Sequence, residues 1–261
     1  MKALVLSSGG VDSTTCVAMA VNKYGKENVI TASLYYGQKH DKELQCAKKI
    51  ADYYGLKHIE EDISNIMKYA SNVCTLVKGG KDIQHKSYAE QSKANEEGRV
   101  DTYVPFRNGL LLSIATAYAD SLFPNEEVEI YYGAHADDAL GSAYADCSPE
   151  FANAMDQAIK IGTYNKISVC RPLINMNKAE VVREGLKLKV PYELTWSCYE
   201  GGDKPCGKCG TCIDRLKAFE ESQLLFEKQK EEYYSEVVFG DNAIDYELYK
   251  QYYEQINPEY A

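Results

Sequence analysis

The N-terminal stretch of this chain constrains its fold more strongly than any other. An apolar run, Ala3–Leu6, is broken by the adjacent glycines Gly9 and Gly10, after which apolar residues recur at helical spacing. The pattern predicts a buried parallel strand, a tight turn and an amphipathic helix. Such a turn directs free backbone N–H groups and the positive end of the helix dipole toward one point, and hydroxyls and Asp12 lie close by in sequence. This combination favours a polyphosphate ligand.

Residues 8–13 distinguish this turn from other glycine-rich turns. The Walker pattern G-x-x-x-x-G-K-[ST] and the dinucleotide pattern G-x-G-x-x-G are both absent here, although two glycines alone are also compatible with an ordinary tight turn. The intact string Ser-Gly-Gly-Val-Asp-Ser resembles the motif of the PP-loop ATP pyrophosphatase superfamily. The resemblance implies that ATP is cleaved between its α- and β-phosphates, which adenylates a substrate oxygen and releases pyrophosphate. The segment implied to bind ATP and Mg²⁺ comprises Ser7, Ser8, Gly9, Gly10, Val11, Asp12, Ser13, Thr14, Thr15, Cys16 and Val17.

Short apolar runs alternate with amphipathic stretches through most of the chain. Helices are predicted near Asp41–Tyr54, over Asn108–Leu122, which is apolar nearly all round and expected to be buried, and after a capping box that begins at Asn177. The alternation predicts an α/β fold with a doubly wound, Rossmann-like parallel sheet that binds ligands at the carboxyl ends of its strands. The predicted strands are Ala3–Leu6, Val29–Tyr36, Lys57–Glu61, Val128–Gly133 and Ile167–Arg171.

The chain divides into three predicted regions. Residues 1–195 are expected to form the ATP-binding α/β domain, interrupted at 71–103 by a polar segment without a clear period, which predicts a long loop. Residues 196–215 hold four cysteines, and residues 216–261 form an acidic, tyrosine-rich tail with helical stretches.

Charge and hydropathy restrict the partners and the compartment. The chain has 261 residues and a formal net charge of −10, and much of this charge falls in the tail, where eleven acidic side chains face four lysines. We therefore expect no broad basic face and no nucleic-acid partner. No apolar run is long enough for a membrane span and no signal-peptide pattern begins the sequence, so we expect a cytoplasmic protein without membrane association.

Four of the nine cysteines have the spacing of a metal centre. Cys198, Cys206, Cys209 and Cys212 fall within fifteen residues that also contain several glycines. Four thiolates on short arms suit one structural Zn²⁺ ion per chain. An iron–sulfur cluster, as in RNA-thiolating PP-loop enzymes, is the alternative. A near match to the Walker pattern begins at Gly202, but Cys209 replaces the required Ser or Thr and no strand precedes it.

Several further blocks match one family in order. Jointly with the N-terminal loop they resemble the 7-cyano-7-deazaguanine (preQ0) synthase family of queuosine biosynthesis over roughly residues 2–220. The blocks are Tyr-Gly-Gln-Lys-His at 36–40, Val-Pro-Phe-Arg-Asn-Gly at 104–109, Tyr-Ala-Asp-Cys-Ser-Pro-Glu-Phe at 144–151, Thr-Trp-Ser-Cys-Tyr at 195–199 and Pro-Cys-Gly-Lys-Cys at 205–209.

The resemblance implies an ATP-dependent ligase with 7-carboxy-7-deazaguanine and ammonia as substrates. The carboxylate is adenylated and attacked by ammonia to give an amide, and a second adenylation on the amide oxygen leads to the nitrile. Cations must neutralise the departing pyrophosphate, and carboxylates can read the N–H donors of a deazaguanine. The predicted catalytic residues are Asp12, Lys39, Arg107, Asp137 and Asp146, and the further candidates are Arg171, Lys178, Asp138, His40 and His135.

Each of these residues also has a plainer interpretation. The cations could be solvated surface charges, and Asp137, Asp138 and Asp146 could cap helices or order a loop. We expect a homodimer, although the tail tyrosines could equally pack on their own sheet.

The sequence also departs from the family and leaves other functions open. Ala145 and Ser148 stand where the family has a proline and an arginine, and residues 141–143 change the approach to that block. An enzyme that stops at the amide is therefore one alternative. A tRNA-modifying, thiolating PP-loop enzyme and a relative that acts in conjugation are the others.

Overall fold

The computed structural model describes residues 1–87, 90–91, 100–139 and 144–232. Its centre is a five-stranded, wholly parallel sheet with the strand order β3-β2-β1-β4-β5. The strands are β1 (Lys2–Leu6), β2 (Val29–Tyr35), β3 (Lys57–Asp62), β4 (Val128–Tyr131) and β5 (Ile167–Cys170). The predicted α/β fold class and all five predicted strands are confirmed, with bounds that differ by one or two residues.

Seven α-helices are formed by the described residues. The helix that follows the glycine turn and the helix after the capping box both form as predicted, and Asn177 accepts from Glu180 N as the box requires. The helices are α1 (Val11–Tyr24), α2 (Lys42–Tyr54), α3 (Arg107–Leu122), α4 (Ala136–Ala139), α5 (Pro149–Gly162), α6 (Lys178–Lys187) and α7 (Gly210–Glu232).

The order of the strands creates a crevice at the carboxyl end of the sheet. From β1 the chain builds outward to β2 and β3, and it then crosses back to place β4 on the other side of β1. Helices that follow β1 and β4 leave from opposite faces at such a point, so the strand ends between them remain open. Loops that follow β1, β2 and β4 therefore meet at one place.

Both faces of the sheet are covered by helices. Ala3 and Val5 of β1 pack with the apolar face of α1, whereas Leu4 packs on the other side with Leu112 and Ala115 of α3. Alternate residues of one strand thus enter two separate cores, as expected for a sheet that is buried on both sides.

Two expectations need correction. Helix α3 is not buried all round: it buries Leu112, Ala115 and Ala119, whereas Ser113 and Ala117 are exposed, because only one side of the helix faces the sheet. Within the predicted loop at 71–103, the described residues are partly ordered against the fold, since Cys74, Leu76 and Val77 pack with Leu34 and Tyr36 of the β2 region.

The C-terminal region begins its helix earlier than the predicted tail. Helix α7 starts at Gly210, inside the four-cysteine segment, and its described part ends at Glu232. The remaining tail residues, 233–261, and the altered residues 141–143 lie outside the described residues. No described helix is long and apolar enough to cross a bilayer.

Candidate active site

The loop after β1 requires glycine at residue 9. The φ angle of Gly9 is 80°, a left-handed conformation that side chains disfavour. A Cβ at this position would also clash with the Glu43 carbonyl oxygen and lie 2.7 Å from the Ala47 backbone nitrogen. Helix α2 therefore packs directly against the loop, and only glycine allows this approach.

Hydroxyl groups hold the loop in shape. The Ser8 backbone N–H donates to Ser13 Oγ at 3.1 Å, and the Gly10 N–H donates to Ser8 Oγ at 3.3 Å. Thr14 Oγ1 donates to the Gly10 carbonyl at 2.7 Å. The turn is thus closed by its own side chains, and the N-terminus of α1 is fixed at the crevice.

A cavity of about 250 Å³ lies above this loop at the carboxyl ends of β1, β2 and β4. A site at this point is what the doubly wound sheet predicts. Its floor is the loop and the first turn of α1: Ser7, Ser8, Gly10, Val11, Asp12 and Ser13.

The rest of the predicted ATP-binding segment lies below the cavity. Thr14, Thr15, Cys16 and Val17 are fully buried in the core beneath it and do not line it. Thr15 Oγ1 instead forms a hydrogen bond with the Tyr192 hydroxyl at 2.8 Å. These side chains fix the helix to the body of the protein, because they are buried in the core rather than exposed at the cavity.

Asp12, on the cavity floor, is the centre of a charged group. Its Oδ2 forms an ion pair with Lys178, and Lys178 Nζ lies 3.3 Å from His135 Nε2. His135 Nε2 in turn lies 3.4 Å from Asp138 Oδ1. Burial opposes ionisation of Asp12, but Lys178 and His135 outweigh it and lower the pKa of this carboxyl. Asp12 is therefore ionised at neutral pH.

Two predicted carboxylates accept hydrogen bonds from backbone N–H groups. Asp137 accepts from the Lys178 N–H at 2.8 Å, and Asp146 accepts from the Asn108 N–H at 2.9 Å. Each carboxylate thereby satisfies a free N–H at the start of a helix, α6 and α3 respectively. Neither residue lines the cavity, whereas Asp138 does.

The other predicted cations lie in different places. Arg107 lines the cavity and places its guanidinium 5.6 Å from the centre of the Tyr36 ring. Lys39 points away and donates to the Lys81 carbonyl at 2.6 Å, and Arg171 donates to Asn153. Of the predicted cations, the cavity thus receives Arg107 and Lys178. His40 does not line it and lies against Gly201 instead.

The four cysteines form a compact cluster. Their sulfur atoms all lie within 4.8 Å of one another, and Cys198, Cys209 and Cys212 are buried. Backbone N–H groups of Cys206, Lys208 and Cys209 donate to sulfur at 3.2–3.4 Å, which favours thiolates. The Cys212 thiol is hydrogen-bonded to Cys198, which raises the pKa of Cys212. The donor set, four sulfurs with short backbone contacts, fits one tetrahedral metal ion.

The cysteine cluster supports one wall of the cavity. The Trp196 backbone N–H donates to the Gly9 carbonyl at 2.9 Å, and the Trp196 indole donates to the Cys198 carbonyl at 2.8 Å. Buried Arg215 donates to Thr195 Oγ1 at 2.8 Å and to Ser197 Oγ at 3.0 Å. The cluster and the loop after β1 are thus joined through residues 195–198.

Comparison with known proteins identifies the family. The model of the family described as queuosine biosynthesis protein QueC matches residues 2–223. The chain belongs to this family. It is 41% identical over 220 residues to a 7-cyano-7-deazaguanine synthase from Archaeoglobus fulgidus, a match that covers 84% of this chain and 86% of the relative. It is 44% identical over 227 residues to the 7-cyano-7-deazaguanine synthase of Thermoplasma volcanium, covering 85% and 87%.

A weaker structural likeness is to an NH3-dependent NAD synthetase from Campylobacter jejuni. That likeness has a TM-score of 0.42 and 11% identity, and it covers 99% of this chain and 85% of the synthetase. A TM-score at this level supports no inference about the present chain.

Two carboxylates in this QueC family member line the cavity although sequence reasoning missed them. Glu43 lies in the first turn of α2, and Asp214 lies in the first turns of α7. Burial raises the pKa of Glu43 to about 7 and the pKa of Asp214 to about 6. The signal for Glu43 was its position just after the 36–40 block at a predicted helix start. Asp214 had no such signal, because no helix was predicted to begin among the cysteines.

Proposed function

We propose that this chain is a 7-cyano-7-deazaguanine synthase, an ATP-dependent carbon–nitrogen ligase that converts 7-carboxy-7-deazaguanine and ammonia into the nitrile through an amide. The observation that carries the proposal is membership of the QueC family over residues 2–223. The loop after β1, at the N-terminus of α1 and beneath a cavity, supports the ATP-dependent step.

The phosphate end of the cavity suits a magnesium-bound polyphosphate. Asp12 Oδ1 is buried and has no hydrogen-bond partner within the described part of the chain, so it is available to a cation. Mg²⁺ prefers carboxylate and phosphate oxygens, and it neutralises charge on the departing pyrophosphate when bound. Lys178 stands beside Asp12 and supplies a second positive charge at the same place.

The reaction needs the carboxylate to be activated. A carboxylate is inert to ammonia at neutral pH, and an AMP ester supplies the missing leaving group. Ammonia then attacks the carbonyl carbon and AMP leaves, which gives the amide. A second ATP adenylates the amide oxygen, and loss of AMP together with two protons from nitrogen gives the nitrile. The cavity holds these steps in one place, and Arg107 contributes charge on its wall.

The cysteine cluster is proposed to hold one structural Zn²⁺ through Cys198, Cys206, Cys209 and Cys212. Four sulfur ligands leave no open coordination position, so the ion stabilises the fold and takes no part in the reaction. It maintains the wall that contacts the loop through Trp196.

The remaining assignments complete the proposal. Asp137 and Asp146 act by positioning α6 and α3, and Lys39 steadies the segment around Lys81. The enzyme is proposed to be a cytoplasmic homodimer with small-molecule substrates. Light scattering tests the assembly: a mass of one chain would exclude the dimer.

Mass spectrometry of the complete reaction tests the function. Protein, ATP, Mg²⁺, ammonia and 7-carboxy-7-deazaguanine should give the nitrile with two AMP per product. Absence of amide, nitrile and AMP would refute the proposal, and amide without nitrile would indicate the variant suggested by Ala145 and Ser148. As a control, Asp12→Ala should abolish AMP formation and keep the zinc content of the parent protein.

A further inference from the structure

The structure leaves open how a deazaguanine is recognised, because most carboxylates near the cavity are engaged. Asp137 and Asp146 accept from backbone N–H groups, and Asp12 pairs with Lys178. Asp138 accepts a hydrogen bond from the His135 backbone N–H at 3.3 Å, and its other oxygen lies 3.4 Å from the His135 ring atom Nε2. A carboxylate that is already paired gains little from a neutral N–H donor.

Glu43 differs from these carboxylates. It lines the cavity, and within the described residues its side chain has no hydrogen bond or ion pair, only the more distant charges of Arg107 and Cys198. Burial raises its pKa to about 7, and the nearby Arg107 charge only partly opposes that effect. A half-buried carboxylate without hydrogen-bond donors destabilises a protein unless a ligand supplies them.

The surroundings of Glu43 suit a flat heterocycle. Tyr36, Trp196 and Tyr199 also line the cavity. The Trp196 ring is fixed by its hydrogen bond to the Cys198 carbonyl, and Lys42 lies 4.6 Å from the ring centre. Fixed aromatic rings pack well against planar bicyclic ligands.

Glu43 is also placed close to the phosphate-binding loop. The backbone of Glu43 touches Gly9, so the first turn of α2 packs directly on the loop. Asp214, the other missed carboxylate, lies instead near Lys178 and His135, where it faces the charged group around Asp12. A ligand held by Glu43 therefore lies beside a nucleotide bound on the loop.

We propose that Glu43 is the substrate-binding residue that recognises the pyrimidine edge of 7-carboxy-7-deazaguanine. Its two oxygens accept from the ring N–H and from the exocyclic amine, which are adjacent donors that match one carboxylate. The inference rests on the function proposed above and adds the group that selects the substrate.

The first test uses the parent enzyme and a substrate analogue. 7-Carboxy-7-deazahypoxanthine lacks only the exocyclic amine and leaves one Glu43 oxygen without a donor. We expect its kcat/KM for AMP formation to be lower than that of the true substrate by about 10- to 100-fold. Equal kcat/KM values for the two compounds would overturn the assignment, whatever a mutant does.

The second test is Glu43→Gln, which keeps the shape but presents an N–H₂ group to the substrate. The KM for 7-carboxy-7-deazaguanine should rise by about 10- to 100-fold, and the preference over the analogue should disappear. The KM for ATP should stay close to that of the parent. Glu27→Gln, an exposed glutamate at the other end of β2, is the matched control.

The outcomes separate the two proposals. A parent enzyme that makes no amide or nitrile refutes the function and, with it, the role of Glu43. An active parent whose Glu43→Gln variant keeps both its KM and its discrimination refutes the role of Glu43 alone. Circular dichroism establishes that the variant is folded, and if it is not, the analogue comparison with the parent decides the question.

Discussion

At the scale of single residues, the structure favours Lys178 over Lys39 as the lysine that acts in the cavity. The Lys178 ammonium pairs with Asp12 across 166 residues of sequence, whereas Lys39 is bonded to a carbonyl outside the cavity. A cation acts on a developing charge only where it is already positioned. We therefore propose Lys178, rather than Lys39, as the cation that stabilises the departing pyrophosphate.

We predict that Lys178→Met lowers the rate of AMP formation by about 10²- to 10³-fold, the range seen when a charge-stabilising group is removed. Lys39→Met should change it by no more than about threefold, as for an exposed ion. Both rates can be measured by chromatography of AMP with 7-carboxy-7-deazaguanine. A larger loss of AMP formation in Lys39→Met would support the catalytic role that the sequence predicted for Lys39.

Glu43 should leave a signature in the pH dependence of stability. Its pKa is about 7 in the folded protein and 4.5 ordinarily, so the folded state binds this proton more tightly than the unfolded state. By linkage, the stability that protonated Glu43 contributes is fully present below pH 4.5 and is lost as the pH rises through about 7.

Glu43→Gln removes this effect. Its Tm should exceed that of the parent by about 2–4 °C at pH 8, as expected for a penalty near 1 kcal/mol in a domain of this size, after allowance for solvent screening. The difference should shrink toward pH 5. Thermal melts of the ligand-free proteins measure it, and a Tm difference that does not vary with pH would contradict the assignment of the raised pKa.

At the residue scale the sequence also left two interpretations of Asp137 and Asp146 open. Asp137 and Asp146 stood in promising blocks, but each satisfies a helix N-terminus. Periodicity cannot distinguish a carboxylate that faces a cavity from one that caps a helix, because both positions precede or begin helical segments. Both interpretations were available from the sequence, and only the packing of α3 and α6 shows the contacts that the capping interpretation requires.

At the scale of elements, the contact between the loop after β1 and helix α2 shapes the site. Gly9→Ala adds a methyl group against the Glu43 carbonyl in a conformation that alanine disfavours. Gly25→Ala is a matched control, since Gly25 also has a positive φ of 75° but nothing lies within 4 Å of its added Cβ.

We predict that Gly25→Ala lowers the free energy of unfolding by about 1–3 kcal/mol, the cost of the backbone conformation. Gly9→Ala should lower the free energy of unfolding by about 1–3 kcal/mol more than Gly25→Ala does, through overpacking, and it should also abolish ATP binding. Urea unfolding and calorimetry with ATP measure the two effects. Equal unfolding energies for the two variants would show that the loop and α2 do not press on each other.

The four-cysteine cluster, proposed to hold zinc, is the second element-level feature. Cys206→Ser should reduce bound zinc and lower the Tm, since a structural zinc ion contributes folding free energy. It should also raise the KM for ATP, because residues 195–198 join the cluster to Gly9.

Elemental analysis and kinetics measure these effects, and Cys46→Ser outside the cluster is the control. Iron with visible absorption in the parent protein would instead support the thiolating alternative.

At the scale of the whole molecule, the charge of the chain opposes a nucleic-acid substrate. With a net charge of −10 the protein lacks the basic excess that binding to phosphate backbones requires. We predict no saturable binding of unmodified tRNA at low salt in fluorescence anisotropy. Tight binding that weakens steeply with salt would contradict this and favour a tRNA-modifying function.

The architecture was predictable from the sequence because it depends on local patterns. The apolar run before Gly9 and Gly10, the alternation of strands and helices, and the spacing of the four cysteines are all read within short windows. Each pattern has one physical solution in this context: a buried parallel strand, a doubly wound sheet, a four-sulfur centre.

Which side chains line the cavity, and which of them are already paired, depends on the tertiary structure. The packing of helices on the sheet brings Lys178 to Asp12 and engages Asp137 and Asp146 with backbone N–H groups. It also turns Glu43 toward the cavity, where its side chain has no hydrogen bond from any residue that the structure describes. These contacts join residues far apart in the chain, and their geometry depends on side-chain packing that no local period encodes. The sequence alone determined the glycine loop after β1 and the fold that presents it, and the packing determined which side chains line the cavity above that loop.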